Sequence, residues 1–353
     1  MTAVTRVLAA GDQFVLNRLF ADALHHEVSS QKGSRGLEVR ELDLPWPDEP
    51  MGRVAEVDEA SGTEEQMIEA LDGAEICVTQ LAPLTEKILD ASPDLRLFCI
   101  SRGGPVNANL EAATARGVAV TFAPGRNATA TAEHTLAMML AATRRVPQTH
   151  MDLAGGTWRG DYYRYDSVGP ELEDSTVGLV GYGAIGSRVA RMAAGFGAHV
   201  VVFDPYVAPE ALGGGVERVE LDELLSRSRF VTLHARVTPE NTGMIGAAQL
   251  ARMPAGSVLV NCARGALVDY DAVCDALDSG HLHGAAFDVF PEEPIPPGSR
   301  LLRTAHIVMT PHLAGASRET AQKAAAIVAA DVGRYLRGEE LAHCANPEAL
   351  RDR

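Results

Sequence analysis

The first third of the chain alternates short apolar runs with longer segments in which apolar residues recur every three or four positions. The longer segments, at residues 14–28 and 64–71, predict helices that bury one face. The short runs predict strands, and they lie at residues 5–10, 37–42, 74–78 and 95–100. Because strands and helices alternate along the sequence, the pattern predicts a parallel sheet with helices on its faces.

An Ala- and Leu-rich segment at residues 129–145 is long enough for a helix that links this part to a second α/β unit, with a boundary near Asn127. Further strands are predicted just before the glycine-rich segment 181–186 and at residues 199–203, 230–234, 257–261, 284–288 and 306–310. A last helix, at residues 316–336, is followed by Gly338 as its C-cap. This alternation is typical of a doubly wound sheet.

The glycine-rich segment has the spacing Gly-x-Gly-x-x-Gly at Gly181, Gly183 and Gly186, between an apolar strand and a helix. In a dinucleotide-binding unit these glycines permit a tight turn, close approach of the backbone to a pyrophosphate, and close packing of helix on strand. The next strand ends at Asp204, where a carboxylate can accept hydrogen bonds from the adenosine ribose. No arginine follows to bind a 2′-phosphate, so the motif favours NAD. The alternative is a glycine-rich turn without a ligand.

The composition of the chain limits the kinds of molecule that the protein is expected to bind. The formal net charge of −16 disfavours general binding to nucleic acid or to an anionic membrane, because the long-range field would repel a polyanion. No segment is apolar enough to span a membrane, and the N-terminus lacks a signal-peptide pattern, so we expect a cytoplasmic protein. The cysteines have no metal-ligand spacing and predict reduced core thiols. They are Cys77, Cys99, Cys262, Cys274 and Cys344.

Polar residues follow the predicted strands of the second unit. A doubly wound parallel sheet binds ligands at the carboxyl ends of its strands. The residues at these strand ends are His234, Asn261, Asp288 and Thr310, and Arg264, Glu293 and His312 stand a few residues farther along. We therefore expect candidate chemistry along one edge of this sheet.

Reduction of a keto acid beside a nicotinamide requires three types of side chain, and Arg264, Glu293 and His312 supply them. An arginine can hold a carboxylate by two charge-assisted hydrogen bonds. A histidine can deliver a proton at neutral pH, and a glutamate can orient and charge the imidazole. Taken singly, each has an ordinary alternative: a surface ion pair, a solvated loop acid and a structural histidine.

The chain resembles the D-isomer-specific 2-hydroxyacid dehydrogenase family, close to its phosphoglycerate dehydrogenase-like branch. The segments that carry the resemblance are residues 176–186, 233–234, 238–242, 261–269, 284–294 and 310–315. The resemblance implies an α/β fold of two Rossmann-like or flavodoxin-like domains with doubly wound parallel sheets, the nucleotide domain inserted into a discontinuous substrate domain. The implied bounds are residues 1–127 and 317–353 for the substrate-binding domain and 128–316 for the NAD-binding Rossmann domain.

By this resemblance Arg264, Glu293 and His312 are the catalytic residues. The substrate-binding residues are Arg102, Gly103 and Gly104, together with Arg264. The residues implied to bind NAD are Gly181, Gly183, Ala184, Ile185, Gly186, Asp204, His234, Cys262, Ala263, Asp288, Ala314 and Gly315. No metal site is expected.

The resemblance implies an NAD(H)-dependent oxidoreductase that interconverts a small 2-oxo acid and its D-2-hydroxy acid by hydride transfer, acting as a homodimer. Arg102, Arg126 and Arg144 are cationic candidates near the implied substrate loop that could favour a phosphate or phosphonate group on that acid, and the alternative is that they are ordinary surface arginines. The alternative is a non-catalytic NAD(H)-sensing binding protein, similar to corepressors on the same scaffold, which keep all three polar residues.

Overall fold

The computed structural model describes residues 4–29, 36–46 and 52–351. The chain packs as two compact units, one made of Met1–Arg126 with Ser317–Arg353 and the other of Asn127–Ala316. Each is built on a sheet in which all paired strands are parallel. The predicted fold class, a doubly wound α/β unit inserted into a discontinuous one, is confirmed.

The sheet of the first unit has the strand order β2-β1-β3-β4-β5, the order of flavodoxin-like sheets. Its strands are β1 (Thr5–Gly11), β2 (Leu37–Asp43), β3 (Ile76–Thr79), β4 (Leu97–Ile100) and β5 (Ala119–Phe122). Its first helices are α1 (Asn17–Ser29), α2 (Glu64–Ala70), α3 (Glu86–Ala91) and α4 (Leu110–Ala115). β3 and β4 are buried at every position, as expected for strands with both faces covered.

The sheet of the second unit has the order β12-β11-β10-β9-β6-β7-β8, a Rossmann order extended by one strand. Its strands are β6 (Thr176–Val180), β7 (His199–Phe203), β8 (Val216–Arg218), β9 (Phe230–Leu233), β10 (Ser257–Asn261), β11 (Leu282–Phe287) and β12 (Ile307–Met309). Its helices are α5 (Ala128–Thr143), α6 (Val146–Ala154), α7 (Gly186–Gly195), α8 (Leu221–Arg227), α9 (Ala247–Leu250) and α10 (Tyr270–Asp278).

The chain then returns to the first unit as α11 (Arg318–Arg337), which packs on α1. α11 begins two residues after the predicted start because Ser317 caps it, its hydroxyl oxygen accepting the N–H of Thr320 at 3.0 Å. The predicted C-cap is confirmed, since Gly338 adopts the left-handed conformation with a φ of 68°.

The cysteines and the helix lengths can be compared with the expectations from composition. Every cysteine is a free thiol, and four of the five are buried, as predicted. Within the described part of the chain, none of the helices combines the length and the apolar character needed to cross a membrane.

Candidate active site

The glycine-rich turn joins β6 to α7, which begins at Gly186. Gly181 has a φ of 101°, a conformation that favours glycine, and a Cβ on Gly186 would collide with the carbonyl oxygen of Gly181. A Cβ on Gly183, in contrast, would meet no atom within 4 Å. The fold itself therefore requires two of the glycines, and the third leaves the backbone open to a ligand such as a pyrophosphate.

Asp204 follows β7 and fixes this turn through its carboxylate. One oxygen accepts the N–H of Tyr182 at 2.8 Å, and the other accepts those of Tyr206 and Val207 at 2.9 and 3.2 Å. A carboxylate has about four acceptor positions, so one remains for a ribose hydroxyl. The residues present thus fit a dinucleotide.

His234 follows β9 and lies against the same turn, where a Cβ on Gly181 would approach its carbonyl carbon to 2.8 Å. Its Nε2 lies 3.1 Å from the hydroxyl of Thr232, and its buried Nδ1 has no partner among the described residues. Burial lowers the pKa of His234 to about 3. The imidazole is therefore neutral at physiological pH and adds no charge beside the turn.

Arg264 lies in a short loop after β10 that the fully buried Asn261 holds in place. The amide of Asn261 accepts the N–H of Ala263 at 3.0 Å and donates to the carbonyl of Arg264 at 2.8 Å. Gly265 lies so close to the chain after β11 that a Cβ there would collide with the carbonyl oxygen of Phe290. The Arg264 side chain is exposed and donates from one nitrogen to Ala263, which leaves further donors for an anion.

Glu293 and His312 form a hydrogen-bonded pair after β11 and β12. The distance between Glu293 Oε2 and His312 Nδ1 is 2.7 Å, and Glu293 Oε1 accepts the N–H of Phe290 at 2.9 Å. The side chain of His312 is 52% exposed and that of Glu293 is 26% exposed. Glu293 therefore orients the ring through Nδ1 and leaves Nε2 available for proton transfer.

Asp288, at the end of β11, is 1% exposed. Its Oδ1 accepts the hydroxyl of Thr310 at 2.6 Å and the N–H of Leu313 at 2.9 Å, and its Oδ2 accepts the N–H of Ala314 at 2.8 Å. These bonds hold the chain on both sides of His312. These are the bonds of Asp288 in the structure, and its place beside NAD stays a prediction.

Two residues of this network were not identified from the sequence. His134, on α5, has its Nε2 3.0 Å from the Thr310 hydroxyl. Tyr270, the first residue of α10, donates its hydroxyl to the carbonyl of Val289 at 2.6 Å. Each lies in a helix whose local pattern gives no sign of a distant polar partner.

The structure places the predicted residues of the second unit along the carboxyl edge of its sheet. The residues predicted to bind the dinucleotide follow three adjacent strands: Gly181–Gly186 follow β6, Asp204 follows β7 and His234 follows β9. Cys262, Ala263 and Arg264 follow β10, Asp288 and Glu293 follow β11, and His312, Ala314 and Gly315 follow β12. Gly315 approaches the start of α5, where a Cβ would lie 2.7 Å from the Asn127 amide nitrogen.

In the first unit, Arg102, Gly103 and Gly104 follow β4, and a Cβ on either glycine would meet no atom within 4 Å. Arg102 pairs with the carboxylate of Glu59. Arg126 donates to the Gln80 side chain at 2.8 Å.

Burial shifts the pKa values of two groups in this cluster, Arg126 and Asp12. Burial and the positive charge of Arg102 lower the pKa of Arg126 to about 10. Asp12, after β1, is 4% exposed, and burial raises its pKa. Two guanidinium groups therefore lie near a carboxyl group whose charged form is disfavoured by burial.

Comparison with known proteins places these residues in a family context. Residues 136–314 match the sequence model described as D-isomer specific 2-hydroxyacid dehydrogenase, NAD binding domain. The chain is 38% identical to D-3-phosphoglycerate dehydrogenase of Mycobacterium tuberculosis over 322 residues, which cover 91% of this chain and 57% of that protein. It is 37% identical to glyoxylate reductase of Korarchaeum cryptofilum over 298 residues, 84% of this chain and 90% of that protein.

The chain thus spans little more than half the length of the phosphoglycerate dehydrogenase that it matches. Among solved structures, the TT0316 protein of Thermus thermophilus has a TM-score of 0.75 at 30% identity, covering 97% of this chain and 100% of that one. The D-lactate dehydrogenase TP0037 of Treponema pallidum has a TM-score of 0.77 at 27% identity, covering 96% and 99%.

The lowered pKa of His234 predicts an acid-labile fold. In the unfolded chain a histidine binds a proton near pH 6.5, but His234 in the folded protein does so only near pH 3, so stability is lost as the pH falls through this window. A His234→Gln variant should lose less unfolding free energy than the wild type between pH 7.5 and pH 5, by up to about 2 kcal/mol. Urea denaturation at both pH values measures this difference. The exposed His25, changed to Gln, is the control, and equal losses in wild type and His234→Gln would contradict the assignment.

Proposed function

Because this chain belongs to the D-isomer specific 2-hydroxyacid dehydrogenase family, we propose that it is an NAD(H)-dependent oxidoreductase that interconverts a small 2-oxo acid and its D-2-hydroxy acid. The observation that carries the proposal is the Glu293–His312 pair, with its 2.7 Å hydrogen bond, on the sheet edge that also holds Arg264 and the glycine-rich turn. This reaction requires an acid–base pair, an anion-binding arginine and a dinucleotide turn. The three groups proposed for these roles lie on one edge of the sheet.

NAD is the cofactor of the matched domain family, and it supplies or accepts the hydride when it is bound. The glycine turn supports its pyrophosphate, and the acceptor position left on Asp204 suits a ribose hydroxyl. The residues proposed to hold it are Gly181, Gly183, Ala184, Ile185, Gly186, Asp204, His234, Cys262, Ala263, Asp288, Ala314 and Gly315.

The chain's own residues handle the substrate's charge and its proton. Arg264 binds the carboxylate of the oxo acid through donors that the loop leaves free, and its charge polarises the neighbouring carbonyl. In reduction, His312 donates a proton from Nε2 to the carbonyl oxygen, and in oxidation it removes that proton from the hydroxyl. The carboxylate of Glu293 keeps the ring in the required orientation through its hydrogen bond to Nδ1.

A His312→Asn variant tests the proposed acid. Loss of the proton donor should lower kcat at least about 100-fold, while the affinity for NADH stays unchanged. Consumption of NADH with glyoxylate, hydroxypyruvate, phosphohydroxypyruvate and phosphonopyruvate measures turnover, and fluorescence titration measures NADH binding. The exposed His25, changed to Asn, should have no effect. A wild type that binds NADH but reduces none of these acids would favour an NAD(H)-sensing protein instead.

The charge distribution of the first unit supports a substrate with a second anionic group, such as a phosphate or phosphonate. The pKa of Arg126 is lowered by burial and by Arg102, and a bound anion would offset both effects. Arg126 donates to Gln80 from one nitrogen and keeps further donors for such an anion. The similarity to a phosphoglycerate dehydrogenase agrees with this choice. The proposed substrate-binding residues of this unit are Arg102, Gly103 and Gly104.

An Arg126→Met variant tests this substrate class. Loss of a charge-assisted hydrogen bond should lower kcat/KM for phosphohydroxypyruvate about 10- to 100-fold and leave that for glyoxylate within about twofold. Arg116, which pairs with the exposed Glu86 and Asp90, is changed to Met as the control. Equal losses with both acids would show that Arg126 does not recognise a second anionic group.

Exposed apolar side chains in the second unit support a homodimer. No residue of α6 is buried. Met151 is 69% exposed, Trp158 85%, Tyr163 93% and Tyr165 91%. A concentration of exposed aromatic residues and methionine is typical of an interface. The family resemblance implies a second copy on the side of the linking helix, and α6 follows that helix directly. We also propose a cytoplasmic location, which the free cysteines support.

A Trp158→Arg variant tests the dimer. A charge buried in an apolar interface is costly, so the variant should shift the protein from dimer to monomer at micromolar concentration. Sedimentation velocity measures the mass of each form. Tyr206, 92% exposed at another position in the same unit, is changed to Arg as the control and should leave the dimer intact. A monomeric wild type would refute the homodimer.

A further inference from the structure

Tyr270 connects two of the loops that carry the proposed catalytic residues. Its side chain is buried, with 7% exposed, although it is the first residue of a helix. The ring packs edge-on against Phe287 with centroids 4.9 Å apart. The phenol oxygen has two hydrogen-bond partners, the Val289 carbonyl at 2.6 Å and the Asn261 amide nitrogen at 3.3 Å.

On one side, the phenol contacts the loop of Arg264 through Asn261. The amide nitrogen of Asn261 donates both to the phenol oxygen and to the carbonyl of Arg264. Because an amide nitrogen has two hydrogens at fixed angles, the two acceptors together fix the rotation of the Asn261 side chain. The conformation of the Arg264 loop therefore depends in part on the phenol.

On the other side, the phenol contacts the turn of Glu293 through a single peptide group. The carbonyl of Val289 accepts the phenol hydroxyl, and the N–H of the same peptide group, which belongs to Phe290, donates to Glu293 Oε1. The other oxygen of Glu293 bonds to His312. A continuous chain of hydrogen bonds thus runs from Tyr270 to the proposed acid.

Rotation of this peptide group would break both of its hydrogen bonds together. Val289 is 2% exposed, so its carbonyl would lose its partner without gaining water, which is costly. Burial raises the pKa of Tyr270, and the charge of Glu293 raises it further, so the phenol keeps its proton as a donor. The phenol therefore holds the peptide plane in the orientation that Glu293 requires.

We propose that Tyr270 is a positioning residue for the reaction, which fixes the Val289–Phe290 peptide plane and the Asn261 amide and thereby sets Glu293, His312 and Arg264 in one arrangement. It touches neither substrate nor cofactor in this role. The inference rests on the proposed function, because the residues that it positions are those of the proposed reaction.

A Tyr270→Phe variant removes the hydroxyl and keeps the ring packing. It should lower kcat about 10-fold through His312 and raise the KM for the oxo acid several-fold through Arg264, with NADH affinity within about twofold of the wild type. The matched control is Tyr162→Phe, which removes a phenol bonded to Asp152 at 2.7 Å elsewhere in the same unit. Unchanged kcat and KM alongside a lower melting temperature would mean a purely structural role and would overturn the proposal.

A double-mutant cycle tests the route through the glutamate. If Tyr270 acts on His312 through Glu293, then Tyr270→Phe should lower kcat less than about threefold in a Glu293→Gln background. Full additivity of the two effects on kcat would overturn this route.

Hydrogen exchange tests, without any measurement of activity, whether Tyr270 holds the Val289–Phe290 peptide group. The Tyr270→Phe change should speed amide exchange at least about 10-fold in peptides covering residues 289–293, and Tyr162→Phe should not. Unchanged exchange would overturn the inference even in an active enzyme. A wild type that binds NADH and reduces no oxo acid would instead overturn the proposed function, whatever the exchange shows.

Discussion

The hydrogen bonds of the buried carboxylate of Asp288 hold the loop of His312, and the proposed active site of the second unit depends on them. A carboxylate removed from water is costly unless hydrogen bonds replace its hydration, and the Thr310 hydroxyl and two backbone N–H groups do so here. These donors lie before and after His312, so the buried charge fixes the loop on both sides. His312 has a φ of 50°, rare for a residue with a side chain, and this strain persists because the surrounding bonds determine the backbone.

The two halves of the same sheet edge are held in place by different kinds of interaction. The dinucleotide half depends on backbone geometry: Gly181 and Gly186 allow the turn, and His234 stays neutral beside it. The half proposed to react depends on polar groups joined by hydrogen bonds, from Tyr270 through one peptide group to Glu293 and His312. In the proposed reaction, a cofactor held by backbone can be released without disturbing a charge network, whereas the proposed acid must keep a defined orientation.

What could be predicted from the sequence is what nearby residues determine. The strands at residues 199–203 and 257–261 match β7 and β10, since short apolar runs bounded by polar residues are local signals. The turn at Gly181 was found for the same reason. Tyr270 was missed because its partner lies 19 residues away, and His134 because its partner lies 176 residues away. Local patterns do not encode such contacts, so the role of Asp288 in holding its loop also became visible only in the structure.

The overall charge and the local charge of this chain lead to different conclusions about its ligands. A net charge of −16 repels an extended polyanion, whose many charges sample the field of the whole protein. A small acid is different, because at physiological ionic strength charges farther away than about 8 Å are largely screened. Within that distance the sign of the local field depends on the side chains that the acid touches, and in the second unit Arg264 keeps donors that its loop does not use. An acidic protein can therefore recognise a small anion.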